Sequence, residues 1–255
     1  MRRSRKAKSG TFGTVGVTLC AAALCAAGLT GAAVAGDDNG IADKSPQEIG
    51  AAAREALLGV TSLHVEAEID GMAEPAPASF ELSYDTKDNC TGTVDDQNNK
   101  GSMEVIRIGD RVWIKPDAKW LSAQAPQLGG DAAAQLLKGK YLETSVRDAD
   151  GAKIAQLCDL NSFKQQITEQ SGKSQGATVE KGGRTEVDGR PAITLNVTND
   201  QQRGRMYVST EGEPYPLKVE ADDPAKGVEI DMTFSEFDRP VTVKAPPADQ
   251  TVNIG

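Results

Sequence analysis

The feature that most constrains the fold is a capped helix leading directly into a half-buried strand, within residues 45–71. Ser45 and Glu48 form a capping-box pattern around Pro46, which suits the first helical position. Apolar residues then recur at helical spacing, and Gly59 can supply the left-handed residue that ends the helix. In the strand that follows, one side is apolar and the other is polar. Such a helix and strand need a sheet to pack against.

Alternation of apolar and polar residues, the pattern of a half-buried strand, recurs in two blocks of the remaining chain. The first block includes residues 80–84 and a hairpin at Gly109-Asp110. The second includes a hairpin at Asp188-Gly189 and a strand from Val228 to Phe234. We therefore predict an α+β fold, with a single curved antiparallel sheet (a half-barrel) and two or three helices packed on its concave face.

The predicted helices beyond the first lie between the two blocks of strands. The strand pattern lapses between Asp117 and Tyr141, where residues 132–137 indicate a short helix. Apolar residues from Leu157 to Ile167 predict a longer helix that runs through Cys158. The tail, residues 242–255, can add an edge strand, although its two adjacent prolines limit that strand.

The stretch from Met103 to Ile108 carries apolar residues of both parities. Met103 and Val105 share one side of the strand, whereas Ile106 and Ile108 share the other. Either a bulge shifts the register there, or both faces of the sheet are covered.

The inward residues of the strands are candidates for the lining of a cavity. The chain has 2 Trp, 4 Tyr and 5 Phe, too few large side chains to fill a closed core generously. This shortage leaves room for a ligand between sheet and helices, and methionines suit a wall that adapts to acyl chains. The predicted lining consists of Leu63, Val65, Ile69, Phe80, Leu82, Ile193, Leu195, Val197, Met206, Val208, Leu217, Val219, Ile230, Met232 and Phe234.

The first 35 residues match a secretory signal peptide. A basic start is followed by an uncharged, Ala- and Gly-rich stretch that ends in Ala33-Val34-Ala35, an A-x-A cleavage pattern. An uncleaved membrane anchor is the alternative, since the stretch is long enough to span a bilayer. Lipidation at Cys20 or Cys25 is a third reading, although leucines precede both cysteines. We expect residues 36–44 to be a flexible acidic spacer and residues 45–255 to form one domain.

Charge narrows the choice of partners. Loss of the five basic residues in the signal peptide would change the formal net charge from −9 to −14. A surface this acidic argues against nucleic acid as a partner and against charge-driven binding of anionic headgroups. The expected location is outside the cytoplasm, either secreted or attached to the outer face of the cell membrane.

Two cysteines, Cys90 and Cys158, remain after the predicted cleavage. An isolated pair in an exported protein predicts a disulfide, and two buried free thiols are the alternative. Closing a loop of this length stabilises a fold by about 4 kcal/mol in the chain-entropy model.

The sequence offers little for catalysis. His64 is the single histidine, and strand parity places it on the polar face beside Glu66. No nucleophile-elbow motif and no phosphate-binding glycine loop occurs, and the remaining residues offer no zinc site once the disulfide has formed. The stretch beginning at Asp148 matches the start of a calcium loop but lacks the later ligands, so a turn is the better interpretation. We predict no enzymatic activity, no metal and no cofactor.

Several short segments, taken in order, resemble a known family. They are Thr61-Ser62-Leu63-His64-Val65, Val187-Asp188-Gly189-Arg190-Pro191-Ala192, Tyr207-Val208-Ser209, Pro214-Tyr215-Pro216-Leu217-Lys218-Val219 and Phe234-Ser235-Glu236-Phe237-Asp238. Together with the export signal, they look like the LppX/LprG group of envelope lipoproteins. The fold of that group is similar to the LolA/LolB lipoprotein carriers and the RseB-type envelope sensors. The resemblance covers roughly residues 45–245, and the leucines before Cys20 and Cys25 depart from its lipidation motif.

The resemblance implies a half-barrel sheet around a hydrophobic cavity and a role in binding or carrying lipids or lipidated molecules. Our leading hypothesis is a monomeric, non-enzymatic envelope protein that shelters acyl chains between sheet and helices. The alternative is an RseB-like signalling protein that acts through a membrane-protein partner. A third possibility, a purely structural secreted domain, predicts an inner face filled by the chain itself.

Overall fold

A single sheet runs through the described part of the chain. In this computed structural model, that part comprises residues 38–73, 76–97, 100–173, 176–199 and 202–254. The predicted signal peptide, including Cys20 and Cys25, lies outside the described residues. The strands are β1 (Ser62–Asp70), β2 (Ser79–Asp85), β3 (Asn89–Asp95), β4 (Ser102–Ile108), β5 (Arg111–Pro116), β6 (Tyr141–Ser145), β7 (Thr178–Val187), β8 (Arg190–Thr198), β9 (Arg203–Ser209), β10 (Pro216–Asp223), β11 (Val228–Ser235) and β12 (Thr251–Asn253).

The strand order is β12-β6-β5-β4-β3-β2-β1-β11-β10-β9-β8-β7, and the sheet is not closed. Strands β1 to β6 form one antiparallel meander, β7 to β11 form a second, and the pairing of β1 with β11 joins them. The short β12 runs parallel to β6 at the far edge, which is the edge strand expected from the tail. The fold is thus the predicted α+β arrangement of a curved, mostly antiparallel sheet with helices.

The described residues contain five α-helices. They are α1 (Pro46–Gly59), α2 (Ala118–Leu128), α3 (Asp131–Leu137), α4 (Ala149–Leu157) and α5 (Leu160–Lys173). Helices α2 and α3 connect β5 to β6, and α4 and α5 connect β6 to β7. The sequence led us to expect fewer helices. Helix α2 contains Pro126, and the expected long helix through Cys158 is divided there into α4 and α5.

The first helix begins as expected but ends differently. The Ser45 hydroxyl accepts a hydrogen bond from the Glu48 N–H while the Glu48 carboxylate accepts one from the Ser45 N–H, which completes the capping box. The prediction that Gly59 ends the helix in a left-handed conformation is wrong. Gly59 is the last helical residue, and Val60 leaves the helix in an extended conformation with its side chain buried. Burial of Val60 therefore sets the direction in which the chain enters β1.

The segment 38–44 differs from the flexible spacer that we expected. Ile41 and Ala42 are buried beside Ile193 and Val208, and a short 3-10 helix spans Ile41–Asp43. The Asn39 side chain donates hydrogen bonds to the carbonyls of residues 209 and 212. Apolar residues hidden within an acidic stretch thus attach this segment to the sheet. The unit that contains every described strand and helix extends from Gly36 to Gly255.

Met103 to Ile108 carry apolar residues on both sides of the strand because both faces of the sheet are covered there. The pairing of β4 with β3 and β5 continues without a register shift. Val105 faces the helices, while Ile106 lies opposite Trp113 on the other face, where Trp113 is buried. The Arg111 guanidinium lies 4.5 Å from the centre of the Trp113 ring. Of the two alternatives left by the sequence, the bulge is therefore excluded.

Candidate functional site

The strand registers place all fifteen predicted lining residues on one face of the sheet, the face on which helices α1 and α5 pack. We refer to this side as the inner face. The structure divides the fifteen into two groups by exposure. Nine are buried: Leu63, Val65, Ile69, Leu82, Ile193, Leu195, Val208, Leu217 and Phe234. Six are half-buried: Phe80, Val197, Met206, Val219, Ile230 and Met232.

One end of the inner face is filled by the protein's own side chains, and we define it as the closed end. It is the row formed by Leu63, Tyr84, Cys90, Arg107 and Val112, which lie opposite one another on five neighbouring strands. All five are buried. Burial raises the pKa of the Tyr84 hydroxyl, which keeps that group neutral.

A disulfide and a buried arginine attach α4 and α5 to the closed end. Cys90 of β3 is bonded to Cys158, the first of the two residues between these helices, as predicted. The Arg107 guanidinium donates hydrogen bonds to the carbonyls of Ala155 and Cys158, both at 3.2 Å, and forms an ion pair with Asp88 at 2.8 Å. A cation at the carboxyl end of a helix also compensates the helix dipole. The sequence offered a signal for Arg107, because it shares the inward parity of Met103 and Val105.

Helix α5 continues from this attachment across the inner face. The Phe163 ring lies 6.0 Å from that of Tyr84 and 6.2 Å from that of Phe234, both centre to centre. Ile167, one helical turn later, is half-buried against the same cluster. Helix α1 covers the other half of the sheet, where Ile49 and Ala53 are fully buried in the cluster that includes Leu195 and Val208.

The cover is incomplete at the opposite end of the strands. Phe80, Met232, Val219 and Met206 form a nearly continuous row, because Phe80 lies opposite Ala67, which in turn lies opposite Met232. Ile230 and Val197 belong to the next row outward, and Met103 extends the first row on the other side. We define the open end by these half-buried residues: Phe80, Met103, Val197, Met206, Val219, Ile230 and Met232.

Away from Ile106 and Trp113, the outer face of the sheet is mainly polar. Its central part carries Glu66, Glu68, Glu81 and Asp231 on neighbouring strands. Two shallow depressions there are lined mainly by charged and polar side chains, which do not suit an acyl chain. His64 also lies on this face, where its ring nitrogens are 2.8 Å from the Ser83 hydroxyl and 3.3 Å from the Glu66 carboxylate. Within the described residues, no group of three or more His, Cys, Asp or Glu side chains is placed to hold a metal.

The segments that carry the family resemblance meet at one corner of the sheet, beside the closed end. The rings of Tyr215 and Phe237 stack with their centres 4.0 Å apart, and the Arg190 guanidinium lies 5.6 Å from the Phe237 ring. The Tyr215 hydroxyl donates a hydrogen bond to the Asp238 carboxylate at 2.9 Å. The same carboxylate accepts hydrogen bonds from the N–H and hydroxyl of Thr61 at 2.6 and 2.8 Å.

Charge and burial at this corner shift three pKa values. Burial and the hydrogen bond to Asp238 raise the pKa of Tyr215 to about 12. Burial acts to raise the pKa of Asp238, but its hydrogen bonds from Thr61 and Tyr215 outweigh that effect and lower it. The Lys164 ammonium of α5 donates a hydrogen bond to the Val60 carbonyl, and burial lowers its pKa. The motifs therefore encode a joint between strands and α5 rather than a reactive site.

Comparison with solved structures agrees with this architecture. Lipoprotein LppX from Mycobacterium tuberculosis is 15% identical and superposes with a TM-score of 0.50, covering 78% of this chain and 98% of LppX. LprF from Mycobacterium bovis is 13% identical and superposes with a TM-score of 0.52, covering 79% of this chain and 96% of LprF. The chain has the LppX-type fold. At such low identity the likeness concerns the fold alone.

Sequence comparison adds no further relative. No family model matches the chain, and no curated protein is similar enough to be matched. The LppX-type fold was recognisable from five short segments, all of which lie at the corner joint or in strands that lead to it. None of the described helices is long and apolar enough to span a membrane.

Proposed function

We propose that this protein is a non-enzymatic, extracytoplasmic lipid-binding protein, whose open end holds the acyl chains of a lipid or lipidated molecule. The observation that carries the proposal is the row of half-buried apolar side chains from Phe80 to Met206, which continues a core that the helices cover only in part. Its five strands are separated by four steps of about 4.8 Å, so the row is roughly 19 Å wide.

Desolvation provides the driving force in this proposal. Each methylene group transferred from water to an apolar surface contributes about 0.8 kcal/mol, so one long chain binds without polar specificity. Two methionines in the row, Met206 and Met232, have flexible, polarisable side chains that adapt to different chain shapes. The ligand would replace water at the open end and extend beneath the second half of α5. The LppX-type fold agrees with this role, because the resemblance implied a hydrophobic cavity between sheet and helices.

Native mass spectrometry after gentle purification tests the proposal directly. We expect a bound species with the mass of a lipid, and we expect added phospholipid or fatty acid to raise the melting temperature. Met232→Lys should abolish both effects by placing a charge in the row. Thr233→Lys is the matched control, since Thr233 is the next residue of β11 and faces the outer side.

A further variant separates lost binding from misfolding. Met232→Leu keeps an apolar side chain of similar volume and should retain lipid binding. A wild-type protein that is always free of ligand, and whose melting temperature no added lipid changes, would overturn the proposal. The signalling alternative remains a prediction, as do a membrane-protein partner and a monomeric state.

A further inference from the structure

One leucine on a short helix is exposed to an unusual degree. Leu136 of α3 has 79% of its surface accessible, the largest value among the large apolar residues of the described chain. Its neighbour Leu137 is half-buried and packs against the main core cluster. Helix α3 therefore has one leucine in solvent and the next in contact with the core. A leucine this exposed would gain free energy by moving from water into another apolar phase.

The segment that contains Leu136 carries a net positive charge, whereas the whole protein carries a net negative charge. Helices α2 and α3, with the residues up to Lys140, form a helical hairpin that we refer to as the 118–140 hairpin. It contains the lysines 119, 138 and 140 and a single acid, Asp131, although the whole chain carries a formal net charge of −9.

Two of these lysines have no acidic partner. Lys119 and Lys138 are exposed and form no ion pair with any carboxylate of the described residues, whereas the Lys140 ammonium donates to the Asp249 carbonyl at 2.8 Å. Asp117, just before the hairpin, forms no ion pair with either lysine, and its carboxylate accepts a hydrogen bond from the Trp120 N–H as the N-cap of α2. The 118–140 hairpin thus carries one strongly exposed leucine and two exposed lysines that have no carboxylate partner among the described residues.

The hairpin lies at the open end of the inner face. Helix α2 begins two residues after Pro116, which pairs with Met103 in the open row. The disulfide and Arg107 lie at the other end of the same strands. Leu137 brings the inner side of α3 into the main core cluster. A partner that contacts Leu136 therefore lies beside the open end.

We propose that the 118–140 hairpin is a docking surface for a lipid bilayer that contains anionic phospholipids. Leu136 enters the boundary between headgroups and acyl chains, while Lys119 and Lys138 contact phosphate groups. Overall acidity argued against such binding. However, charges are screened beyond about 8 Å at physiological salt, so at contact distance the local lysines outweigh the distant acids. The alternative occupants are a protein and a second copy of this chain, which the experiment below distinguishes from a bilayer.

This inference goes beyond the proposed lipid binding and is tested separately. Docking concerns the outside of α3 and the surface of a vesicle, whereas lipid binding concerns the inner face and a single lipid molecule. A protein could retain one property without the other. The Met232→Lys variant should lose bound lipid and still dock, because residue 232 is not part of the hairpin.

The experiment is co-sedimentation of residues 36–255, which include every described strand and helix and the disulfide, with vesicles of two compositions. Vesicles of phosphatidylcholine with phosphatidylglycerol should bind the protein, and binding should weaken as salt is raised. Pure phosphatidylcholine should bind far less. Leu136→Ser should reduce the partition coefficient about tenfold. Lys119→Gln and Lys138→Gln should each reduce it about fivefold.

Matched controls come from α4, at the other end of the strands. Leu157 is 41% exposed and Lys153 pairs with Asp150 at 2.9 Å, so Leu157→Ser and Lys153→Gln change the same residue types without altering the hairpin. Both should bind vesicles like the wild type. Since Leu136 is exposed, its substitution should leave the melting temperature unchanged. Absence of binding to anionic vesicles, equal losses in the α4 controls, or a dimer that Leu136→Ser dissociates would each overturn the proposal.

Discussion

Strand β2 contributes to both ends of the inner face with one alternation of inward residues, yet one end is closed and the other is open. At the closed end, Leu63, Tyr84 and Cys90 are almost fully buried. At the open end, Phe80, on the same strand as Tyr84, and Met232, on the same strand as the buried Phe234, remain half-buried. The sheet itself does not cause this difference.

The difference comes from how the helices are attached. The disulfide at Cys158 and the hydrogen bonds from Arg107 fix the junction of α4 and α5 at the closed end. The Lys164 ammonium adds a further contact one turn into α5. Among the described side chains of α5, which end at residue 169, Ile167 is the last that packs against the core cluster. Closure of this face thus depends on covalent and polar attachments at one end of the strands.

Removal of the disulfide, which attaches the helices to the closed end, should cause the largest loss of stability. The double variant Cys90→Ala/Cys158→Ala releases a bond between residues 68 positions apart. In the chain-entropy model its loss destabilises the fold by about 4 kcal/mol. Urea denaturation followed by circular dichroism measures the change. A loss below about 1 kcal/mol would mean that the closed end does not depend on this bond.

Truncation of one inward residue at each end sharpens the comparison. Leu82→Ala, in a fully buried position, should destabilise the protein by about 3 kcal/mol through lost burial and a cavity. Met232→Ala should cost about 1 kcal/mol, because its side chain is already half exposed to water. Chemical denaturation of both variants in lipid-free buffer gives the two values. Equal losses would show that the open end is as well packed as the closed end.

A glycine in α4 tests how closely that helix approaches the sheet. A Cβ atom at Gly151 would lie 2.1 Å from the Ser145 carbonyl oxygen and 3.0 Å from a Thr144 methyl group. Gly151→Ala should therefore destabilise the protein by about 2 kcal/mol, although alanine is the better helix former by up to about 1 kcal/mol. A gain in stability instead of a loss would show that α4 does not approach the sheet this closely. Gln156→Ala, at an exposed position of the same helix, is the control and should be neutral or slightly stabilising.

The strands and their inward faces could be predicted from the sequence because alternation is a local signal. The hairpins at Gly109-Asp110 and Asp188-Gly189 lie where their turn residues indicated, and Asp188 and Gly189 both have positive φ, as a tight hairpin turn requires. The capping box was also readable, since it depends on residues only three positions apart. Each of these features is decided within a few residues of the chain.

Features decided by tertiary contacts could not be predicted in the same way. Helix α2 was missed because Pro126 and the surrounding polar residues conceal its pattern. The predicted long helix is interrupted at Cys158, which is bonded to β3, and the spacing of apolar residues does not reveal such a bond. The extent of helix cover also depends on long-range packing, so the fifteen candidate residues could be placed on one face but not divided into buried and half-buried groups. That division, and the exposure of Leu136, required the structure.

The smallest expected effect concerns the corner joint and is best measured as a function of pH. Hydrogen bonds from Thr61 and Tyr215 hold the pKa of Asp238 below its ordinary value of about 3.9. A carboxyl whose folded pKa is lowered stabilises the protein above its unfolded pKa, and this contribution is lost as the pH falls through the folded pKa. Asp238→Asn should therefore cost about 1 kcal/mol at pH 6, and the difference from wild type should shrink as the pH falls below about 4.

Comparison of the two proteins at each pH is necessary because other carboxylates also titrate in this range. Asp38, Glu48 and Asp117 have pKa values lowered by their own hydrogen bonds, so both proteins lose stability in acid. Asp43→Asn provides the control, since its exposed side chain forms no hydrogen bond or ion pair within the described chain. If Asp238→Asn and Asp43→Asn gave the same profile, the joint would contribute nothing measurable. A difference that is constant above about pH 4 and declines at lower pH would show that the corner stabilises the protein through the charged form of Asp238.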